Sequence, residues 1–116
     1  ATAALVDPSC SGSGLGHRVE RRGDERVDGE RLRRLAAFQT RILCKAMSLP
    51  SVRLVVYSTC SVHEEENEDV VAAALAAAGE GWALVPALGP GEWPRRGRRR
   101  PGIAPGAEGF MLRCDP

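Results

Sequence analysis

The stretch VRLVVYSTCS, residues 52–61, joins a strand-like run to a thiol. Val52–Tyr57 is rich in β-branched residues and ends in an aromatic one, a composition that favours a buried β-strand. Small polar residues follow directly, and Cys60 stands among them. The sequence therefore predicts a strand whose carboxyl end presents a nucleophilic side chain.

A second apolar run with a similar ending lies upstream. In ALVDPSCSGSG, residues 4–14, the apolar run stops at Asp7 and is followed by Cys10 and small residues. A continuous apolar run is typical of a strand buried in a parallel sheet. Ligands bind beyond the carboxyl ends of the strands in such sheets. A parallel sheet therefore permits Cys10 and Cys60 to share one crevice.

One helix is predicted between the two strands and another after the second strand. Residues 12–29, rich in Gly and charged residues, predict a mobile loop. Apolar residues recur at helical spacing over 30–49, and Pro50 ends that pattern. A second helix is predicted over 70–78, where Gly79 stops it.

The start of the second helix carries a capping signature. Ser61 and Glu64 have the Ser-x-x-Glu spacing of a capping box. Acidic residues at 65–68 suit the first turns of a helix, or they have a role in the site. His63 is interpreted as an exposed residue at the helix start, with a base beside Cys60 as the alternative.

The remaining segments complete an alternating order of strands and helices. Residues 82–85 and 109–114 are predicted as strands, and 89–105 as a mobile surface loop. The alternation predicts an α/β fold with a largely parallel sheet.

Composition narrows the class of protein. The chain of 116 residues is 43% hydrophobic and 27% charged, which suits a soluble globular domain. A net charge of +1 points to no particular partner, and no apolar run reaches the length of a membrane span. We therefore expect no contact with a membrane, and since no Cys-x-x-Cys pair is present we expect no metal site.

The residues alone leave two interpretations of the cysteines open. A thiolate is a strong nucleophile, and a following helix N-terminus would lower the pKa of Cys60. Asp7 is placed to exchange a proton beside both thiols. Free cysteine is more commonly a small buried hydrophobe, which is our interpretation of Cys44 and Cys114.

Three segments together resemble a known family. DPSCSGSG (7–14), LAAFQTRILCKA (35–46) and LVVYSTCSVHEEENEDVV (54–71) resemble the second half of the catalytic domain of Sun/Fmu RNA (cytosine-5) methyltransferases. The residues are most similar to the member-five group of that family, which acts on ribosomal RNA. The resemblance implies a Rossmann-like α/β fold with helices on both faces of a mostly parallel sheet. It also implies that residues 1–116 are the C-terminal part of that domain, with the cofactor loop upstream.

The resemblance assigns roles to three residues. Cys60 corresponds to the nucleophile that adds to C6 of cytosine, and Cys10 to the second cysteine, which helps release the product. Asp7 corresponds to the acid beside the cofactor S-adenosylmethionine and the target base. Most of the family reads Asp-Ala-Pro-Cys, whereas this chain reads Asp-Pro-Ser-Cys with the same spacing of Asp7 and Cys10. Ribosomal RNA as partner and a nucleolar location are further implications.

An arginine-rich run offers a candidate RNA contact. The run RRGRRR carries five cations that could meet RNA phosphates, or that form a plain solvated surface. They are Arg95, Arg96, Arg98, Arg99 and Arg100.

Two other functions remain as alternatives. In a DNA cytosine-5 methyltransferase Cys10 would be the attacking thiol, but the sequence Thr59-Cys60-Ser61 argues against it. A truncated, non-catalytic fragment that binds RNA or a protein partner is the other alternative.

Overall fold

The sheet consists of two short parallel strands. The computed structural model of the protein describes residues 2–12, 29–87, 95–98, 100–103 and 107–111. Strand β1 spans Ala3–Val6 and strand β2 spans Leu54–Tyr57. They pair in parallel, with Val6 opposite Tyr57. Both predicted strands are confirmed, and their carboxyl ends lie at the same edge.

Helix α1 spans Gly29–Met47 and connects the two strands. It confirms the helix predicted over 30–49. Gln39 and Leu43 are its buried residues, as the apolar periodicity requires. Most of the predicted loop at 12–29 lies outside the described residues.

Helix α2 spans Glu68–Ala78 and follows a 3₁₀ turn at Glu64–Glu66. The predicted capping box is wrong, since the Ser61 hydroxyl accepts the N–H of His63 at 3.0 Å instead of that of Glu64. The helix therefore starts later than the capping signature indicates. Its predicted end is confirmed, because Gly79 has a φ of 69°, a conformation that glycine adopts without strain.

The core lies on one face of the sheet. Val6 of β1 and Leu43 of α1 pack with Val70 and Ala74 of α2. The described helices therefore cover the same face, and they hold the end of β1 in place.

The other face of the sheet is open. Leu5 is 74% exposed, Leu54 52% and Val56 51%. The prediction of two buried strands is therefore wrong for this face, because alternate residues of a strand point to opposite sides and both described helices lie on one side.

The strands predicted near the C-terminus do not form in the described residues. Residues 82–87 contain no strand, and Ala107–Phe110 is a 3₁₀ turn, while residues 112–114 lie outside the described part. Two backbone hydrogen bonds reach the segment around this turn from earlier in the chain. Ala87 N–H donates to Phe110 O and Gly97 N–H donates to Met111 O, both at 3.0 Å. An apolar run becomes a strand only beside a partner, and the described sheet contains β1 and β2 alone.

Candidate active site

The two candidate thiols meet at the edge of the sheet. The Sγ atoms of Cys10 and Cys60 are 3.0 Å apart, and both residues are free cysteines. Cys60 is exposed and Cys10 is partly buried. The structure brings the two thiols together, as the predicted parallel sheet permits, because each follows the carboxyl end of one parallel strand.

Asp7 stands at the same edge, directly after β1. Its side chain is exposed, and Oδ1 accepts the Ser58 hydroxyl at 3.3 Å. The Ser58 N–H in turn donates to Val6 O at 2.9 Å, which continues the strand pairing. The carboxylate is thereby held at the opening of the crevice that contains the thiols.

The environment of Cys60 raises the pKa of its thiol. The hydrogen bond with Cys10 is the largest cause, followed by loss of hydration and by negative charge at Cys10 and Asp7. The predicted lowering by a helix dipole is wrong, because α2 begins only at Glu68. The resting site therefore favours the protonated thiol.

A buried carboxylate contacts the two cysteine loops, which are the segments that follow β1 and β2 and carry Cys10 and Cys60. Glu66 is fully buried, and its carboxylate accepts the N–H of Ser11 at 2.7 Å and the Ser11 hydroxyl at 2.6 Å. It also accepts the Ser61 hydroxyl, and the Nε2 group of Gln39 at 3.1 Å. Ser11 follows Cys10 and Ser61 follows Cys60, so one carboxylate contacts the residue after each thiol.

These hydrogen bonds keep Glu66 ionised. Burial alone would raise its pKa, but the hydrogen bonds from Ser11, Ser61 and Gln39 outweigh burial and hold the pKa below the ordinary value. A buried charge is tolerated when donors surround it in this way.

Asn67 closes the loop that carries Cys60. Its Oδ1 accepts the Thr59 hydroxyl at 2.6 Å, and its Nδ2 donates to Ser61 O at 2.9 Å and to His63 O at 2.8 Å. The residues on both sides of Cys60 are therefore tied to one amide.

Comparison with known proteins agrees with this arrangement. Residues 2–90 match the family described as 16S rRNA methyltransferase RsmB/F. The chain belongs to this family. The resemblance found in the sequence is thus confirmed, and the RsmB/F family implies a Rossmann-like α/β fold, with which the two parallel strands and their helices are compatible.

Curated relatives point the same way. A mouse protein named 28S rRNA (cytosine-C(5))-methyltransferase is 47% identical over 97% of this chain and 23% of its own length. An Arabidopsis thaliana 25S rRNA (cytosine-C(5))-methyltransferase is 42% identical over 98% of the chain and 21% of its own length. The fission yeast 25S rRNA (cytosine-C(5))-methyltransferase rcm1 is 40% identical, over 99% and 26%. The chain therefore spans about a quarter of these relatives. No solved structure gives a significant match.

The sequence alone leaves the role of Glu66 open and gives no role to Gln39, yet both support the RsmB/F site. Gln39 stands at the helical spacing of the apolar residues of α1, and its side chain is fully buried, with Nε2 also donating to Ser9 O at 3.0 Å. Of the two interpretations of the acids at 65–68, a helix start fits Glu68 in the first turn of α2, and a role in the site fits Glu66, whose carboxylate contacts the residue after each thiol. A glutamine on an apolar helix face was the available signal.

Tyr57, at the end of β2, contacts the backbone of Glu66. Its hydroxyl donates to the Glu66 backbone carbonyl at 2.7 Å. Burial, then the charges of Glu66 and Cys10, raise the pKa of Tyr57. The phenol therefore stays protonated and remains a donor.

His63 differs from its expected exposure. The residue is partly buried, and its Nε2 atom is buried with no hydrogen-bond partner among the described residues. The interpretation as an exposed residue is wrong, whereas a role as a base stays a prediction.

The arginine run packs against acids of the chain itself. Arg100 forms a bidentate pair with Asp69, at 2.8 and 2.7 Å, and contacts Glu64 at 2.8 Å. Arg98 pairs with Glu64 at 2.9 Å, and its N–H donates to Glu68 at 2.6 Å. Hydrogen bonding to Asp69, together with the nearby acids, raises the pKa of Arg100.

The other arginines of the run differ in their surroundings. Arg95 is exposed, Arg96 donates to Gly109 O at 3.3 Å, and Arg99 lies outside the described residues. RNA contact by the run stays a prediction.

Cys44 and Cys114, the remaining cysteines, lie away from the candidate site or outside the described residues. Cys44 packs partly buried against the core, as predicted, and Cys114 lies outside the described residues. Within the described part of the chain, no cluster of three or more His, Cys, Asp or Glu side chains could hold a metal ion. Among the same residues, no helix has the length and apolar character needed to cross a membrane.

Proposed function

We propose that the protein containing this chain transfers a methyl group from S-adenosylmethionine to C5 of cytosine in ribosomal RNA. The observation that carries this proposal is the exposed Cys60 thiol at the carboxyl end of β2, 3.0 Å from Cys10, in an RsmB/F chain. Relatives of this family that match nearly the whole chain are named as rRNA (cytosine-C(5))-methyltransferases, which supports the substrate class.

Cys60 acts as the nucleophile. Its sulfur adds to C6 of the cytosine, and the electron pair of the C5–C6 double bond moves toward C5, which then takes the methyl group. The thiol must lose its proton to react, and its raised pKa lowers the fraction that is already thiolate. The target base has to be single-stranded or flipped out of a helix to reach an exposed thiol in a crevice.

Asp7 contacts the ring and the cofactor. Its exposed carboxylate engages one long hydrogen bond, from Ser58, which suits a group that binds hydroxyl or amino groups of a ligand. S-adenosylmethionine supplies the methyl group when bound. Asp7 hydrogen-bonds the cytosine ring while charge builds on it.

Cys10 assists product release. After methylation the C5 proton leaves to a base, and the C6–S bond to Cys60 breaks as the double bond re-forms. The Cys10 sulfur lies 3.0 Å from the departing sulfur, so it is placed to share a proton with it.

The test uses the complete protein and RNA that contains 5-fluorocytosine. The fluorine at C5 cannot leave as a proton does, so the covalent adduct should persist on a denaturing gel. Cys60→Ala should form none, and Cys10→Ala should still form it. Adduct formation by Cys60→Ala would overturn the assignment.

The alternatives receive less support. DNA methylation with Cys10 as nucleophile would use the less exposed of the two thiols. A non-catalytic binding fragment is not favoured by relatives named as methyltransferases. A complete protein that methylates DNA but not RNA, or neither, would reinstate one of them.

The complete domain is proposed to have a mostly parallel sheet with helices on both faces. The exposed Leu5, Leu54 and Val56 support this, because an apolar sheet face of this kind normally packs against another layer. A ribosomal RNA substrate also leads us to propose a nucleolar location, which fluorescence microscopy of the tagged protein would test.

The arginine run at residues 95–100 is proposed to contact RNA phosphates through its positive charge. Charge reversal at Arg95 should flatten the salt dependence of RNA binding, since each phosphate contact releases counterions. An unchanged slope would contradict this contact.

A further inference from the structure

We propose that Glu66 is a positioning residue that sets the separation of the Cys10 and Cys60 thiols. For its effect on catalysis, the inference rests on the proposed function above. Glu66 lies in the 3₁₀ turn between β2 and α2, five residues after Ser61, and its carboxylate contacts the residue that follows each thiol.

The two oxygens of the carboxylate divide the contacts between them. Oε1 accepts the Ser11 N–H at 2.7 Å and Gln39 Nε2 at 3.1 Å. Oε2 accepts the Ser11 hydroxyl at 2.6 Å and the Ser61 hydroxyl. The two serine hydroxyls also lie 3.3 Å apart. Beyond the last strand pair, Val6 with Tyr57, this carboxylate therefore bridges the two loops and adds to the direct contacts that Asp7, Cys10 and Ser11 make with Ser58, Cys60 and Ser61.

Glu66 is itself held from three directions. The Tyr57 hydroxyl donates to its carbonyl at 2.7 Å, and its own N–H donates to His63 O at 3.2 Å. Gln39 of α1 fixes the side chain and also binds Ser9 O, on the other side of Cys10. Because Glu66 is anchored in this way, it fixes the relative position of the two cysteine loops as well as placing a negative charge between them.

The chemistry requires a carboxylate at this place. Four donors point at the two oxygens, so an amide would turn its own N–H groups toward donors and lose at least one hydrogen bond. Glu66 is also fully buried, which removes it from proton exchange with a substrate. It therefore acts through the cysteines and not on the base.

The test measures the proximity of the thiols directly, in the complete protein without RNA or cofactor. Dibromobimane becomes fluorescent when it bridges two neighbouring thiols. The fluorescence that comes from bridging Cys10 to Cys60, called specific bridging below, is the part that is lost in both Cys10→Ala and Cys60→Ala. We expect Glu66→Gln to slow specific bridging by about tenfold, the effect of losing a hydrogen bond to a charged group.

Matched variants distinguish an effect on the distance between the two thiols from a general disruption of the fold. Glu65→Gln makes the same change at the exposed neighbouring residue and should bridge at the wild-type rate. Glu66→Asp keeps the charge with a shorter reach and should recover part of the rate. If Glu66→Gln does not fold, Ser61→Ala, which cuts the link on one side, takes its place and should slow bridging. Wild-type bridging in the folded Glu66→Gln protein, or in Ser61→Ala when that variant takes its place, would overturn the proposal, as would the absence of a specific wild-type signal.

The kinetics of RNA methylation give a second readout, which tests whether the distance between the two thiols affects the reaction. In Glu66→Gln we expect kcat for RNA methylation to fall roughly 100-fold, the cost of a misplacement of about 1 Å, with KM for RNA nearly unchanged. A rise in KM with unchanged kcat would contradict a positioning role. If the wild-type protein does not methylate RNA, the proposed function fails, while the bridging rates still decide the role of Glu66.

Discussion

Two acids only two positions apart, Glu64 and Glu66, serve opposite sides of the same turn. Glu66 is fully buried and accepts hydrogen bonds from uncharged donors of the two cysteine loops. The Glu64 side chain is 23% exposed and pairs with Arg98 and Arg100. One acid joins the parts of the active site, and the other attaches the arginine-rich segment.

The comparison teaches that burial, more than charge, decides what an acid does. A buried carboxylate must have its hydrogen bonds satisfied, so breaking that arrangement is costly. An ion pair near water loses much of its energy to screening and side-chain entropy. The inner network should therefore dominate stability and the outer one should be tolerant of change.

The largest effect is expected from Glu66→Gln. The free energy of unfolding should fall by about 3 kcal/mol, because a buried charge and its hydrogen bonds are lost. The pKa of Glu66 is lowered on folding, so its contribution is fully present above the ordinary value of 4.5 and is lost as pH falls through the lower folded value. Urea unfolding of the complete protein against pH measures both effects. A difference between variant and wild type that persists unchanged in acid would contradict the ionised role.

Asn67→Ala should have the next largest effect. The amide joins Thr59, Ser61 and His63, so its loss leaves partly buried backbone carbonyls without a donor. We expect a loss of about 2 kcal/mol in the free energy of unfolding. Wild-type stability of this variant would show that the loop around Cys60 is held by Glu66 alone.

Cys10→Ala should change the titration of Cys60 and leave the two acid networks intact. The hydrogen bond with Cys10 is the main cause of the raised pKa of Cys60, so its removal should lower that pKa. The rate of iodoacetamide labelling at Cys60, followed by peptide mass spectrometry, should then rise at lower pH than in the wild type. A shift to higher pH would mean that Cys10 stabilises the thiolate.

The smallest effect is expected from Arg100→Ala. Its pairs with Asp69 and Glu64 lie near the surface, so the free energy of unfolding should fall by less than in Asn67→Ala. The difference should shrink in high salt, which screens such pairs. A loss as large as that of Glu66→Gln would erase the distinction between the two networks.

Local patterns explain what could be predicted from the sequence. The apolar runs and the helical periodicity placed β1, β2 and α1 correctly, because each depends on neighbours in the chain. The strand ends then brought Cys10 and Cys60 together, since parallel strands share an edge.

Long-range contacts explain what could not be predicted. The capping box failed because the Ser61 hydroxyl donates to the Glu66 carboxylate and accepts the His63 N–H, so it is not free to cap Glu64. The contact of Glu66 with Ser11 spans 55 positions, and periodicity carries no information about it. The strand predicted at 82–85 failed for the same kind of reason, because a strand needs a partner that its own residues do not specify.

The measurement that tests the central claim most directly is the identity of the cysteine that carries trapped RNA. The complete protein would be reacted with RNA containing 5-fluorocytosine, digested, and analysed by mass spectrometry for the nucleotide-bearing peptide. We predict that the nucleotide is attached to Cys60 and that the peptide with Cys10 is unmodified. Attachment to Cys10 would contradict the assignment and would make the chemistry that of the DNA-type mechanism.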